Sequence, residues 1–376
     1  MRNLSKFLFK RILQTRKYLK NPVKELSCLE KDQIRRVLVV SSTALGDTLL
    51  SLPALKATKE IMPQARITFL VRKEIFPLVK ELPYVDDWLF YTKGHYHIWR
   101  LLREITRHNF NLALIFHESD LIPTGLSFLA GVPFILRSGL RDQEARPYLS
   151  AVVPYREEVH QIEQRLDVLR TLLKNPKARF STRMELPVKE NDLKMARQKL
   201  KAWGVSLKKP FVGVQIGASR AYTVWPPNKI KAFVRLLLAH DPDVEVALLG
   251  GKQEASLGKE LFKSLGSQRV KNLCGRITLY ELPAFIKNLT LMITPDTGPM
   301  HVAFAVGTPT ICLFVPSEVK HTGPYQDLHL HTVIRKERPC QPCLRKYCPD
   351  PWCMNLISPE EVLSVTLKRL RGLPHE

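Results

Sequence analysis

The chain has 376 residues, and 58 Lys and Arg against 35 Asp and Glu give it a formal charge of +23. A balance of 45% hydrophobic and 25% charged residues excludes disorder and fibres, and at roughly 100–200 residues per domain the length suggests two domains. A membrane span needs about 20 mostly apolar residues, whereas the longest uncharged runs, 121–136 and 297–317, are short or broken by Gly, Pro and His.

Residues 1–36 hold eleven Lys and Arg against three Asp and Glu, a net +8. Leu4, Phe7, Leu8, Ile12 and Leu19 recur there at roughly helical spacing, with Lys6, Lys10, Lys17 and Lys20 on the far side. Such a basic amphipathic helix suits an anionic membrane surface, or else packs on its own domain. Lys10 and Arg11 interrupt any secretory h-region. Seven Cys in this length, with Cys28, Cys274 and Cys312 scattered, make no disulfide framework and suit a reducing, cytoplasmic setting.

Short β-branched runs then alternate with amphipathic stretches, the rhythm of parallel α/β sheets. In the first half 37–41 reads as a buried strand, followed by a turn at Gly46, a helix over 48–61, and strands at 66–71, 88–91 and 112–116. In the second half 211–216, 244–249, 291–294 and 310–315 read as strands, with helices near 227–239, 253–265, 279–288 and 299–306. The join falls within 175–209, where Pro176, Pro187 and Pro210 bracket a charged helical segment. The expected organisation is a basic extension (1–33), a doubly wound domain (34–185), a second one (186–357), and a closing helix (358–376) packing back on the first.

Ligands of open parallel sheets bind beyond the carboxyl ends of the strands, so the residues following each strand carry the candidates. After the first strand, Ser42 and Thr43 precede Gly46-Asp47, where Asp47 alone would read as a helix cap; no G-x-G-x-x-G is present. After 211–216 come Gly217, Ala218 and Ser219, small enough for backbone amides to approach a phosphate, then Trp225-Pro226-Pro227. After 291–294 come Asp296, Thr297 and Gly298, with His301 one turn into the following helix. Asp241-Pro242-Asp243 and Asp86-Asp87 read as turn chemistry and not as metal ligands.

Taken together, 37–56, Gly217-Ala-Ser, Trp225-Pro-Pro, 248–251 with Glu254, 296–301 with 307–310, 322–325, and 339–343 through 358–361 resemble the ADP-heptose:lipopolysaccharide heptosyltransferases, glycosyltransferase family 9. The resemblance runs in order over about 34–368. It implies a GT-B fold, two Rossmann-like domains facing a central cleft with the donor held by the second, and metal-independent transfer with inversion. It implies that Asp47 is the catalytic base, for which burial in the cleft would be needed, and that Ser42, Thr43, Gly217, Ala218, Ser219, Arg220, Thr223, Glu254, Asp296, Thr297, Gly298 and His301 serve the donor, Glu254 at the ribose. One position departs from the family: Thr223 stands where a lysine is usual, leaving Arg220, then Lys229 or Lys320, to meet the diphosphate.

The implied partners are ADP-heptose, a lipid A-core glycolipid and the inner face of an anionic inner membrane. Alternatives are a family member using another nucleotide sugar, or an inactive donor-binding scaffold. Lys and Arg spread widely without interleaved aromatics argue against nucleic acid. No cofactor is required for the chemistry. Cys340, Cys343, Cys348 and Cys353 have the close spacing of a structural zinc site, with an iron–sulfur site or plain thiols as alternatives.

Overall fold

A computed structural model describes residues 23–92, 95–117, 121–139, 143–218, 220–315, 317–338 and 352–372, together with Arg11, Leu13, Thr15, Cys340 and Cys348. The chain divides into two compact units, Met1–Thr182 and Arg183–Glu376.

In the first unit β1 (Arg36–Ser41), β2 (Arg66–Arg72), β3 (Asp87–Tyr91), β4 (Leu112–Ile115) and β5 (Phe134–Arg137) form a parallel sheet in the order β3-β2-β1-β4-β5. All of β4 and β5, and β1 beyond Arg36, are buried, which is why they read as continuous apolar runs. The connections carry α1 (Leu45–Leu50), α2 (Leu52–Ile61), α3 (Phe76–Val79), α4 (His95–His108) and α5 (Ile122–Leu129), and α6 (Gln161–Leu172) follows β5 and packs on α2. Leu38, Val40, Leu70 and Ile115 of the sheet pack with Leu101 and Ile105 of α4 and Leu126 and Phe128 of α5.

The helix expected over 48–61 starts earlier, at Leu45, and breaks at Ser51. Pro53, in the first turn of α2, has no N–H with which to continue the preceding ladder. Of the amphipathic N-terminal segment, Leu4, Phe7, Leu8, Ile12 and Leu19 lie outside the described residues. Leu13 is 1% exposed and joins the α4–α5 core cluster. The rest of the extension is not separate either: the Lys24 and Leu26 N–H groups donate to the Pro133 and Ser150 carbonyls at 2.9 and 3.2 Å.

The second unit holds β6 (Phe211–Gln215), β7 (Glu245–Leu249), β8 (Val270–Asn272), β9 (Leu291–Pro295), β10 (Thr310–Phe314) and β11 (His331–Arg335), all parallel, in the order β11-β10-β9-β6-β7-β8. Its helices are α7 (Glu190–Ala202), α8 (Pro227–His240), α9 (Ala255–Leu265), α10 (Leu282–Lys287), α11 (Gly298–Val306), α12 (Val319–Thr322) and α13 (Pro359–Leu370). Gly307 ends α11 at φ 72°, a left-handed position that a side chain would strain.

Two boundaries differ from the sequence reading. The division falls before Arg183, because the Arg183 guanidinium grips Asp327 with two hydrogen bonds of 2.9 and 2.8 Å and the Met184 backbone bonds the Gln326 amide at both N–H and carbonyl. The closing helix was expected to return to the first domain; α13 packs on α8, with Val362 and Leu363 in the core of its own unit. Ser358 caps it by accepting from the Glu361 N–H at 3.1 Å.

Candidate active site

Each sheet reverses its winding at one place: between β1 and β4 in the first unit, and between β6 and β9 in the second. Crevices for ligands open at such switch points, beyond the strand C-termini. The candidate residues gather at both.

In the first unit Ser42 follows β1 and His117 follows β4, and their side chains meet, Ser42 Oγ to His117 Nε2, at 3.3 Å. Asp47 lies in the first turn of α1, where its Oδ2 accepts from the Ala44 N–H at 3.4 Å. The cap role read from sequence is therefore real, and a second contact accompanies it. Arg165 of α6 brings Nη2 to 3.5 Å from Asp47 Oδ1. That guanidinium is fixed on its other sides, with Nε donating to Ser51 Oγ at 3.0 Å and Nη1 donating to the Gln161 carbonyl and Oε1 at 2.7 and 2.9 Å. The Arg165 side chain is 3% exposed and that of Asp47 42%. The burial expected for the base is thus absent in the first unit, and a locked cation stands beside the carboxylate instead. The Thr43 hydroxyl is buried with no hydrogen-bond partner among the described residues, and is available to a bound molecule.

Burial pushes the His117 imidazole down to about 3, against the pull of Asp47 and with Arg137 and Arg165 adding to the fall, so the ring is neutral at physiological pH. Arg137, the last residue of β5, is 1% exposed. Sequence reading missed His117, Arg137 and Arg165. His117 directly follows a recognised strand and the rule that found Asp47 reaches it; the arginines meet the site only through tertiary packing. A groove of about 780 Å³ in the same unit, lined by Arg156, Asp167, Arg170 and Lys174 among others, shares no residue with this cluster.

In the second unit Gly217 and Ala218 follow β6, and Glu254 follows β7. Glu254 lies against Gly217 so closely that a Cβ there would stand 2.3 Å from Glu254 Cγ. The Gly251 N–H donates to Glu254 Oε2 at 2.8 Å and holds the carboxylate over the loop. Burial first, and Glu254 second, push the neighbouring Cys274 thiol up to about 12, which keeps it protonated. Asp296 and Thr297 follow β9, the strand beside β6. Thr297 is the residue before α11 but makes no side-chain cap bond. Asp296 does not cap the helix either: Oδ1 lies 4.0 Å from His301 Nε2 and Oδ2 accepts from Thr322 Oγ1 at 3.4 Å. The positive end of α11 is left without a side-chain cap, suited to an anion.

Thr223 departs from its expected use. Its hydroxyl donates to the Arg220 carbonyl at 2.8 Å and the residue is 3% exposed, so it braces the loop. Arg220 is exposed, its guanidinium 6.0 Å from the Tyr222 ring centre. Asp241 Oδ1 accepts from the Asp243 and Val244 N–H groups at 2.9 and 3.2 Å, the turn role read from sequence. Ser219 and Cys343 lie outside the described residues. Cys340 is exposed, Cys348 and Cys353 are half-buried, and among the described residues no three His, Cys, Asp or Glu side chains are grouped to hold a metal.

The family model "Glycosyltransferase family 9 (heptosyltransferase)" matches residues 98–352. Lipooligosaccharide heptosyltransferase 2 of Campylobacter jejuni is 26% identical over 343 residues, which cover 90% of this chain and 99% of that one. Among solved structures, a glycosyl transferase family 9 protein of Veillonella parvula superposes with a TM-score of 0.74 at 18% identity, covering 90% of this chain and 97% of that chain. The Escherichia coli ADP-heptose lps heptosyltransferase II gives 0.72 at 21% identity, covering 90% and 99%.

Proposed function

From the premise that this chain belongs to glycosyltransferase family 9, the heptosyltransferases of lipopolysaccharide core synthesis, we propose that it transfers heptose from ADP-heptose, with inversion, to a phosphorylated inner-core glycolipid at the inner face of the membrane. The fold is GT-B, two doubly wound α/β domains, and the chain is a glycosyltransferase.

The observation that carries the donor assignment is the uncapped start of α11 beside Asp296 and His301, at the switch point of the second sheet. A leaving diphosphate develops charge, and oriented N–H groups at a helix start offset it without reorganising. Arg220 supplies the mobile cation in place of the family lysine, and Glu254 accepts from a ribose hydroxyl. Asp47 takes the proton of the acceptor hydroxyl as that oxygen attacks the anomeric carbon from the side opposite the nucleotide, a single displacement that inverts configuration. Arg165 keeps the carboxylate in one orientation, and neutral His117 with Ser42 offers a hydrogen-bonding wall for the acceptor sugar. No step is assigned to a metal.

A second reading, another nucleotide sugar, is favoured by Thr223, whose hydroxyl is spent on its own loop where relatives of this type carry a charge. A thermal-shift panel of ADP, UDP, GDP and CMP separates the two, because a ligand of the native state alone raises its stability by mass action. ADP alone should stabilise the protein. Stabilisation by UDP without ADP overturns the donor assignment, and ADP stabilisation without any transfer identifies a scaffold.

A further inference from the structure

The outer face of α4 has no role in either cluster. Along it Trp99, Arg103 and Arg107 recur every four residues, one stripe of the helix, and all three are exposed, Trp99 by 48%. The opposite stripe, Ile98, Leu101, Leu102 and Ile105, packs into the core. Arg100 pairs with Glu104 at 3.1 Å, but Arg103 and Arg107 have no ion-pair partner among the described residues. Leu13 and Val23 lie on the same core cluster as Leu101 and Ile105. The N-terminal segment with its net +8 and the basic stripe of α4 therefore cover one core side by side.

We infer that the Trp99–Arg103–Arg107 face of α4, with the N-terminal basic segment beside it, is the surface by which this protein docks on an anionic phospholipid bilayer. A half-exposed indole between guanidinium groups suits the headgroup layer, where the ring is amphipathic and the cations meet lipid phosphates. One aromatic side chain in a cationic stripe is a wedge for lipid and offers no succession of rings for stacked bases. The inference rests on the proposed lipid-anchored acceptor for its purpose only; its geometry stands without it. Docking through α4 brings the first domain, which carries Asp47, to the surface where such an acceptor is anchored.

The test is flotation of the full chain with phosphatidylglycerol–phosphatidylcholine vesicles, at low and high salt, against phosphatidylcholine alone. Each cation at an anionic surface contributes about a fivefold gain in binding, so R103Q/R107Q should bind about thirtyfold more weakly. The variant K259Q/K263Q removes two exposed cations from α9 of the second unit and should float as the parent does. Trp99 emission should move to shorter wavelength with anionic vesicles, a change missing in W99F. Parental flotation by R103Q/R107Q, or an equal loss in K259Q/K263Q, overturns the inference. So does binding of a single-stranded oligonucleotide that depends on Arg103 and Arg107 without flotation. ADP stabilisation is read in the same variants: its absence in the parent defeats the proposed function and leaves the vesicle result standing.

Discussion

Replacing Gly217 by Ala tests the donor site where its packing is tightest. The added methyl would meet Glu254 Cγ at 2.3 Å, Cδ at 2.5 Å and Oε1 at 2.7 Å, all nearer than carbon atoms tolerate. Glu254 is a flexible side chain and yields by swinging away, which breaks its bond from the Gly251 N–H. Hydrogen bonds to charged groups contribute about 1.5–3 kcal/mol. Moving the carboxylate off a ribose hydroxyl should therefore weaken ADP about 10- to 100-fold by calorimetric titration. A double-mutant cycle separates this from general damage. All three clashing atoms vanish in Glu254→Ala, so adding Gly217→Ala to that variant should cost almost nothing further. Parental ADP affinity in Gly217→Ala, or an equal additional loss in the Glu254→Ala background, would refute the reasoning.

Asp47→Asn should lower turnover by about 10²- to 10⁴-fold with ADP affinity intact, the range for a general base; turnover near parental would remove Asp47 from that role. Arg165→Met should reduce kcat while leaving the KM for the donor unchanged, and Arg165→Lys should recover part of the loss. An effect on thermal stability alone would make Arg165 a scaffold residue. For His117 the folded ring takes a proton only near about 3, against 6.5 for the free side chain, so the unfolded chain binds the proton first. Its contribution is full above the unfolded value and is lost as pH falls toward the folded one. His117→Asn should then show a shallower fall in Tm between about pH 6.5 and about pH 4, and an unchanged slope would contradict the buried neutral ring.

The buried parallel strands were legible because double-sided burial demands unbroken apolar runs, as in β1, β6 and β9. Strands β5 and β11 were not: Phe134–Arg137 lies inside a longer apolar stretch, and His331–Arg335 alternates without a clear period. The strand-end rule located Ser42, Asp47, Gly217, Glu254 and Asp296, since each follows a strand or begins a helix in the local sequence. It could not show that Asp296 turns from the helix toward His301 and Thr322, because capping and ligand roles use the same residue at the same place. Nor could it reach Arg165, which is 118 residues from Asp47 and sits in a helix whose sequence looks solvent-facing. Thr223 was recognised as a missing charge, but only the folded loop shows its hydroxyl bonded to Arg220.

Trp225 is 1% exposed, and its Nε1–H donates to the Ile357 carbonyl, from a residue the ribosome adds 132 positions later. Ile357, Val362 and Leu363 complete the core around it. A nascent chain can finish the acceptor half while translation continues, since domains fold as units from the N-terminus. The donor half must wait for release of nearly the last residue, carrying an unfinished core beside a finished domain. A premature stop just before Ile357 would therefore spare the first domain and yield a second with an open apolar face, a substrate for quality control instead of a slow enzyme.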